Sequence, residues 1–318
     1  NTEGYGGMIL STWFDRPLSL AGRAVVRTES GVRSVLLNID RDLCIIPSLA
    51  IHMTRGMADH KLNPQVDLLP LLGGENADYN ALIAEEAGVK KEDVISSDMF
   101  LYPRQHGVVF GMENEFIASP RLDDLQCAFS ATEAFLNAEN KEKLLISAVF
   151  DNEEVGSLTK QGADSTFLEE FLEIVLENVY PDKNRLWKRS FYQNSFLLSA
   201  DNGHAVHPNH PEKTDPTNRP YLNGGVVLKY NGSQKYTTDG YSAAIVRQIC
   251  NTWEIPLQTF ANRSDIAGGS TLGNISTAHV SIPSADVGLA QLAMHSAFET
   301  AGVKDTEALA QLAEHLFV

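Results

Sequence analysis

Acids and imidazoles gather in four short stretches of this 318-residue chain, and their types limit the chemistry open to it. Asp123 and Asp124 adjoin in SPRLDDL, and Asp151, Glu153 and Glu154 follow the apolar run LLISAVF. Asp201 precedes His204, His207 and His210 in SADNGHAVHPNH, and His295 lies in LAMHSAFE. Carboxylate and imidazole without thiolate are ligands that suit divalent zinc, manganese or cobalt. Two such ions about 3.5–4 Å apart need a bridging carboxylate, further oxygen or nitrogen ligands, and a separate base for the shared water. Adjacent acids such as Glu153 and Glu154 can divide the ligand and base roles. Each residue also has a plainer reading. Asp123 could simply favour a helix N-terminus, His295 could be a buried or helix-surface residue, and the acids after LLISAVF could form only a polar loop.

The surrounding sequence must position these groups. Leu144–Phe150 is apolar and reads as a strand buried on both faces, delivering its acids to the sheet edge where ligands bind in open α/β folds. From Glu115 onward helices and buried strands alternate, which predicts an α/β sheet covered on both faces. The expected helices are Leu122 to Ala138, with an apolar face of Leu125, Phe129, Ala131 and Phe135, and Thr166 to Tyr180, with Phe167, Phe171, Leu172, Val175, Leu176 and Val179 on one side. Further helices are expected at Gly240 to Trp253, Leu289 to Thr300 and Asp305 to Phe317, and strands at Ser195 to Ala200, Leu257 to Phe260 and Val280 to Ile282. Residues 1 to about 110 read mainly as β. The runs MILSTWF, AGRAVVRT, SVLLNI and LCIIPSLAI predict a small antiparallel sheet or barrel, interrupted by a helix around Tyr79 to Gly88 capped by Asn76 or Asp78, with a loop over Met57 to Leu72.

Composition excludes several classes. Forty-one acids against 25 bases give a net charge of -16 and a sequence pI near 4.9, which argues against nucleic acid or an anionic membrane as partner. Cys44, Cys127 and Cys250 are odd in number and far apart, so neither a disulfide framework nor a thiolate zinc site is expected, and the cytoplasm is the natural compartment. No apolar run approaches the roughly 18 residues of a membrane span. The chain opens at Asn1, already close to the strand-like GGMILSTWF, and reads as lacking its natural start.

Five motifs in order, SPRLDDL, FDNEEVGS, SADNGHAVHPN, GGSTLGNIS and LAQLAMHS, resemble those of the aspartyl aminopeptidase family, relatives of vacuolar aminopeptidase I. STWFDRPLSLAGR and IPSLAIHM extend the resemblance over the first hundred residues. It implies a three-layer α/β/α catalytic domain of the zinc-exopeptidase type at 108–318 and an inserted β-rich, barrel-like dimerisation domain at 1–107. It implies two divalent metal ions, zinc first and manganese or cobalt as alternatives. Asp123 would bridge them, Glu154 and His295 would complete one site, Asp201 would bind the other ion, and Glu153 would be the general base.

The same resemblance assigns His204 to the reacting carbonyl, and Lys229 and Tyr236 to the pocket for the N-terminal side chain. A cation there would favour Asp or Glu, although Lys229 could also be an exposed strand residue. The family histidine matching His52 enters the active site of a neighbouring subunit, so a homo-oligomer built from dimers, a dodecamer, is expected. The substrates implied are peptides with a free N-terminus. Another two-metal amidohydrolase, such as a carboxypeptidase or deacylase, and a non-catalytic assembly protein remain open as alternatives. The family's last metal ligand, a histidine in a His-x-Asp motif upstream of the inserted domain, has no counterpart here, because neither His60 nor His106 sits in that motif.

Overall fold

Leu18, Ser19, Leu20, Ala24 and Val26 are buried along the eleven residues of β1 (Leu18–Thr28), the central strand of the first of two units, Asn1–His106 and Gly107–Val318, in a computed structural model that describes residues 1–55, 61–266 and 268–318. β1 pairs antiparallel with β2 (Gly31–Asn38) and with β3 (Val94–Pro103). Short helices α1 (Ile51–Thr54) and α2 (Pro64–Asp67) and the longer α3 (Tyr79–Ala87) lie between β2 and β3 in sequence. Asp78 caps α3 by accepting the Ala81 amide, and Gly88 ends it in the left-handed conformation that a residue without Cβ adopts easily. Ile83 of α3 packs on Ala24, Val26 and Leu37, while Leu18, Cys44, Ile46 and Leu68 form a second core.

The expected helix is therefore present, but the β content is smaller than the apolar runs suggest. The sheet has three strands in the order β2-β1-β3 and is no barrel among the described residues. MILSTWF forms a 3-10 turn at Leu10–Trp13, and LCIIPSLAI contributes only isolated bridges to Phe14, Leu18 and Leu71. Apolar runs mark burial, whereas a strand needs a ladder partner. Part of the loop expected over Met57 to Leu72, with His60, lies outside the described residues; its described part includes α2.

The second unit opens with β4 (Val108–Phe110), β5 (Phe116–Ser119) and α4 (Leu122–Asn137). It continues through α5 (Phe167–Val179), α6 (Arg185–Gln193), β6 (Leu197–Ala200), β7 (Gly203–His204) and β8 (Val226–Tyr230). Then come α7 (Gly240–Thr252), β9 (Leu257–Ala261), α8 (Leu272–His279), β10 (Ser284–Gly288), β11 (Ala290–Leu292), β12 (Glu299–Gly302) and α9 (Asp305–Phe317). Two mixed sheets form, in the orders β6-β10-β8-β9 and β4-β5-β12-β11-β7. They share a spine. The parallel pairing of β6 with β10 passes through Asp201, whose amide donates to Val287 O, and Gly203, whose amide donates to Leu289 O, into the pairing of β7 with β11.

Alternation along the strands sorts the two faces. Val226 and Leu228 of β8 and Ala285 and Val287 of β10 face a core with α4, α7 and α9. The intervening Val227 packs instead with Ala205, Tyr236, Phe260 and Ala290, and Asp286 lies against Gly273 of α8. Helices thus cover both faces, as the alternating pattern predicts. A Cβ on Gly288 would collide with the carbonyl of Asp201, so glycine there lets β10 lie close to the end of β6. Among the described residues no helix is long and apolar enough to cross a membrane.

Five local expectations fail. Leu144–Phe150 makes no strand, and Val149 is 61% exposed, because this run finds no ladder partner among the described residues. Leu289 to Thr300 is β11, a turn and the start of β12 rather than a helix, and the strand expected at Val280 to Ile282 begins at Ser284. Helices α6 and α8 have no counterpart among the expected elements. The buried face of α4 is Gln126, Cys127, Ser130 and Ala134, not Leu125 and Phe129, which are exposed. Small and polar residues admit α9 closely: Gln126 Nε2 donates to Thr306 Oγ1 (2.9 Å) and Ser130 Oγ to Thr306 O (3.1 Å). On α5, likewise, Leu168, Leu172 and Leu176 are buried while Phe167, Phe171 and Val179 are exposed.

Candidate metal centre

Four separate segments of the second unit deliver the acids and histidines to one place. Asp123 lies in the first turn of α4, and Glu153 and Glu154 lie in the 3-10 turn Glu153–Val155. Asp151 braces that turn: its Oδ1 accepts the Asn152 amide (2.8 Å) and its own amide donates to Gln161 O (3.0 Å). Asp201 stands in the spine between β6 and β7, and His204 ends β7. His295, between β11 and β12, has a left-handed backbone with φ 65, a conformation that costs a non-glycine residue about 1–3 kcal/mol and must be held by its surroundings.

Oxygen and nitrogen atoms of Asp123, Glu154 and His295 all lie within 4.8 Å of one another, and so do atoms of Asp123, Asp124 and Asp201. Asp123 belongs to both groups. His295 Nε2 is 3.3 Å from Glu154 Oε2 and 3.5 Å from Asp123 Oδ2. These residues, except Asp124, border a cavity of about 670 Å³ together with Glu153, His204, Lys229 and Tyr236. Every site residue singled out in this unit is brought together. His52 belongs to the first unit, exposed on α1.

Lys229 corrects one of its two readings: it is 1% exposed, not a surface residue. It shares the face of Val227 on β8 and donates from Nζ to Asn202 O (2.7 Å), with Asp201 Oδ2 at 3.5 Å and the Tyr236 ring centroid at 5.5 Å. Burial works against its charge, but Asp201, Tyr236 and Asp286 outweigh this and hold the ammonium above the usual lysine range.

Crowded carboxylates show the opposite strain. Burial, then the charges of Asp201, Glu154 and Asp123, push Glu153 up to about 7. Glu154 also reaches about 7, chiefly by burial, with His295 opposing and Asp123 and Asp201 adding to the rise. His295 is raised to about 9, first by its hydrogen bond to Asp123, while burial lowers His204. Asp124 is raised by burial and by Asp201.

Several supporting residues had no distinct sequence signal. Glu299 is 2% exposed and accepts the amides of both Asp123 (3.0 Å) and His295 (2.7 Å). Asn202 is a buried hub whose Nδ2 donates to Leu122 O (3.1 Å) and Gln291 Oε1 (2.6 Å). Asp286 accepts from the Thr237 amide and hydroxyl and from Thr271 Oγ1, fixing loops beside the cavity. The only hint for Glu299 was an acid four residues after His295, which suggests a helix face when the segment is read as a helix.

The family model described as aminopeptidase I zinc metalloprotease (M18) matches residues 1–317. The chain belongs to the M18 aminopeptidase family. It is 46% identical over 314 residues to a Clostridium acetobutylicum protein named "Probable M18 family aminopeptidase 2", which covers 96% of this chain and 72% of that one. A chain of the complex of Ape4 and Nbr1 superimposes with a TM-score of 0.90 at 33% identity, covering 99% of this chain and 65% of that chain. A chain of the S. cerevisiae mApe1 dodecamer does so with a TM-score of 0.81 at 28% identity, covering 98% and 71%. The donor set fits the zinc of the M18 description. Oxygen and nitrogen ligands are present without thiolate, and the carboxylates lack the positive charge that would let all of them ionise.

The raised carboxylates tie stability to pH in the chelated protein. A carboxylate whose pKa is higher folded than unfolded stabilises the fold below its unfolded value and loses that contribution as pH rises through the folded one. For Glu153 and Glu154 the window runs from about 4.5 to about 7. His295 extends the loss toward about 9, and His204 alone among these groups acts in reverse. The melting temperature of the chelated chain is therefore expected to fall from pH 5 to pH 8, and excess zinc to flatten the fall. Calorimetry showing no fall in chelator would contradict this electrostatic account.

Proposed function

We propose that Asp123, Glu154, Asp201 and His295 hold two zinc ions, Asp123 being shared, and that Glu153 is the general base in removing N-terminal residues from peptides. The observation that carries this reading is the pair of donor groups overlapping at Asp123. Bound zinc supplies a Lewis acid that polarises the scissile carbonyl and favours ionisation of water near neutral pH. The chain supplies the remaining chemistry. Glu153 accepts the proton of the attacking water and returns it to the leaving amine, so no net proton is consumed in bond cleavage. Its pKa near 7 belongs to the chain without cations, and positive charge beside it draws that value down toward an ionised base. His204, kept neutral by burial, can donate a ring N–H to the developing oxyanion.

Glu153→Gln keeps the size of the side chain but cannot accept the proton. Turnover is expected to fall about 10²–10⁴-fold with zinc content and melting temperature unchanged. Elemental analysis alongside peptide cleavage checks this, and near-normal turnover in a zinc-replete variant would remove Glu153 from the role.

Acidic N-terminal residues are the proposed preference. Lys229 offers three donors, of which Asn202 O engages one and Asp201 lies near another, leaving charge at the cavity for a substrate carboxylate. Tyr236 supports its stem, with the ammonium 5.5 Å from the ring centroid. Aspartyl and glutamyl substrates should be cleaved with higher kcat/KM than leucyl ones under identical conditions. Faster leucyl cleavage would reject the preference.

Residues 1–107 are proposed to serve assembly, with His52 completing the active site of a neighbouring copy in a homo-oligomer. The similarity to an mApe1 structure titled as a dodecamer supports this. His52→Ala should preserve the assembled mass in sedimentation velocity while lowering activity at least tenfold. An assembled and fully active variant would remove His52 from the site.

A further inference from the structure

We propose that Glu299 is a positioning residue of the metal centre, holding Asp123 and His295 at a common spacing by accepting a hydrogen bond from the backbone amide of each. The inference rests on the assignment of those two residues as metal ligands. Glu299 opens β12 and is 2% exposed. Its Oε1 accepts the His295 amide at 2.7 Å and its Oε2 accepts the Asp123 amide at 3.0 Å. Both amides need such a partner. Asp123 stands in the first turn of α4, where amides lack intrahelical acceptors. His295 stands in a left-handed conformation with φ 65, and its ring points at Asp123 and Glu154 only while that backbone is kept.

A carboxylate suits this task because it has two oxygens on one rigid group, each able to accept one of the two amides. Both sides of the first donor group are thereby tied to one rigid strand. β12 is itself paired with β5, which leads into α4, and with β11, which leads to His295. Glu299 links the two ends of that three-strand arrangement where they turn toward the cavity.

Asp305 provides a matched comparison. It is also fully buried and accepts two backbone amides, of Asn223 (2.7 Å) and Gly225 (2.9 Å), but neither belongs to the centre. Losing Asp305 should weaken the fold alone. Losing Glu299 should loosen the ligands.

The test uses the full chain as wild type, Glu299→Gln, Glu299→Asp and Asp305→Asn. Zinc affinity is measured by competition with a chelator, the visible spectrum is recorded after cobalt substitution, and the melting temperature is taken in chelator. Glu299→Gln should bind zinc about 10–100-fold more weakly and shift the cobalt bands, since its amide nitrogen faces one of the two N–H groups. Glu299→Asp, which keeps the charge but shortens the reach, should show a smaller loss and carries the test if the glutamine variant does not fold. Asp305→Asn should melt earlier with unchanged affinity and spectrum. Unchanged zinc affinity and cobalt spectrum in the Glu299 variants, or an equal loss of affinity in Asp305→Asn, would overturn the proposal. A wild-type chain that binds no zinc would overturn the ligand assignment, and the positioning role with it.

Discussion

Several carboxylates held together away from water repel one another, and much of the second unit answers to that constraint. Two like charges 4 Å apart cost about 4 kcal/mol at an effective dielectric of 20. The chain offsets part of this. Lys229 faces Asp201, His295 faces Asp123 and Glu154, and Asn202 donates its amide to Asp124. The offset is incomplete, because Glu153 and Glu154 remain near 7 instead of 4.5. A divalent cation supplies the missing charge, which is why a site of this composition suits zinc and why the chain alone stores electrostatic strain.

Such strain persists only on a stiff support. The spine formed by β6 with β10 and β7 with β11 carries Asp201 and His204 on one side and ends just before His295 on the other. Gly288 lets the strands meet at Asp201. Strand alternation on β8 sends Val226 and Leu228 into the core with α7 and α9, so Val227 and Lys229 take the other face. Buried polar hubs then fix the loops: Asn202 joins Leu122 to Gln291, and Asp286 gathers Thr237 and Thr271. Each hub satisfies its polar atoms locally, which a low-dielectric interior requires.

Much of this was legible in the amino-acid order. Caps and 3.6-residue periodicity are local properties, so the sequence places helices α3, α5, α7 and α9 within about two residues of their observed ends. Residue types restrict the chemistry to carboxylate and imidazole ligands, the family resemblance singles out Asp123, Glu153, Glu154, Asp201 and His295 among them, and the cavity collects all five. Faces and ladders were less legible. Leu125 and Phe129 looked like the core side of α4, yet the helix turns Gln126, Cys127 and Ser130 inward to meet α9. LLISAVF looked like a strand, but apolarity does not name a partner. LAQLAMHSAFET fits a helix by composition and nevertheless forms two short strands around a turn, because its neighbours in space are β7 and β5.

By itself the sequence determined the inventory: acids and imidazoles without a thiolate cluster, a net charge of -16, and an α/β pattern after a β-containing first unit. Residue type and local periodicity are sufficient for these conclusions. Only the tertiary structure decided the relations among the parts. It placed Asp123 in two donor groups at once, buried Lys229 beside Asp201, put His295 in a left-handed turn and set Glu299 across two distant amides. Those relations depend on strand register and on which helix face meets which neighbour, and no single stretch of chain contains that information.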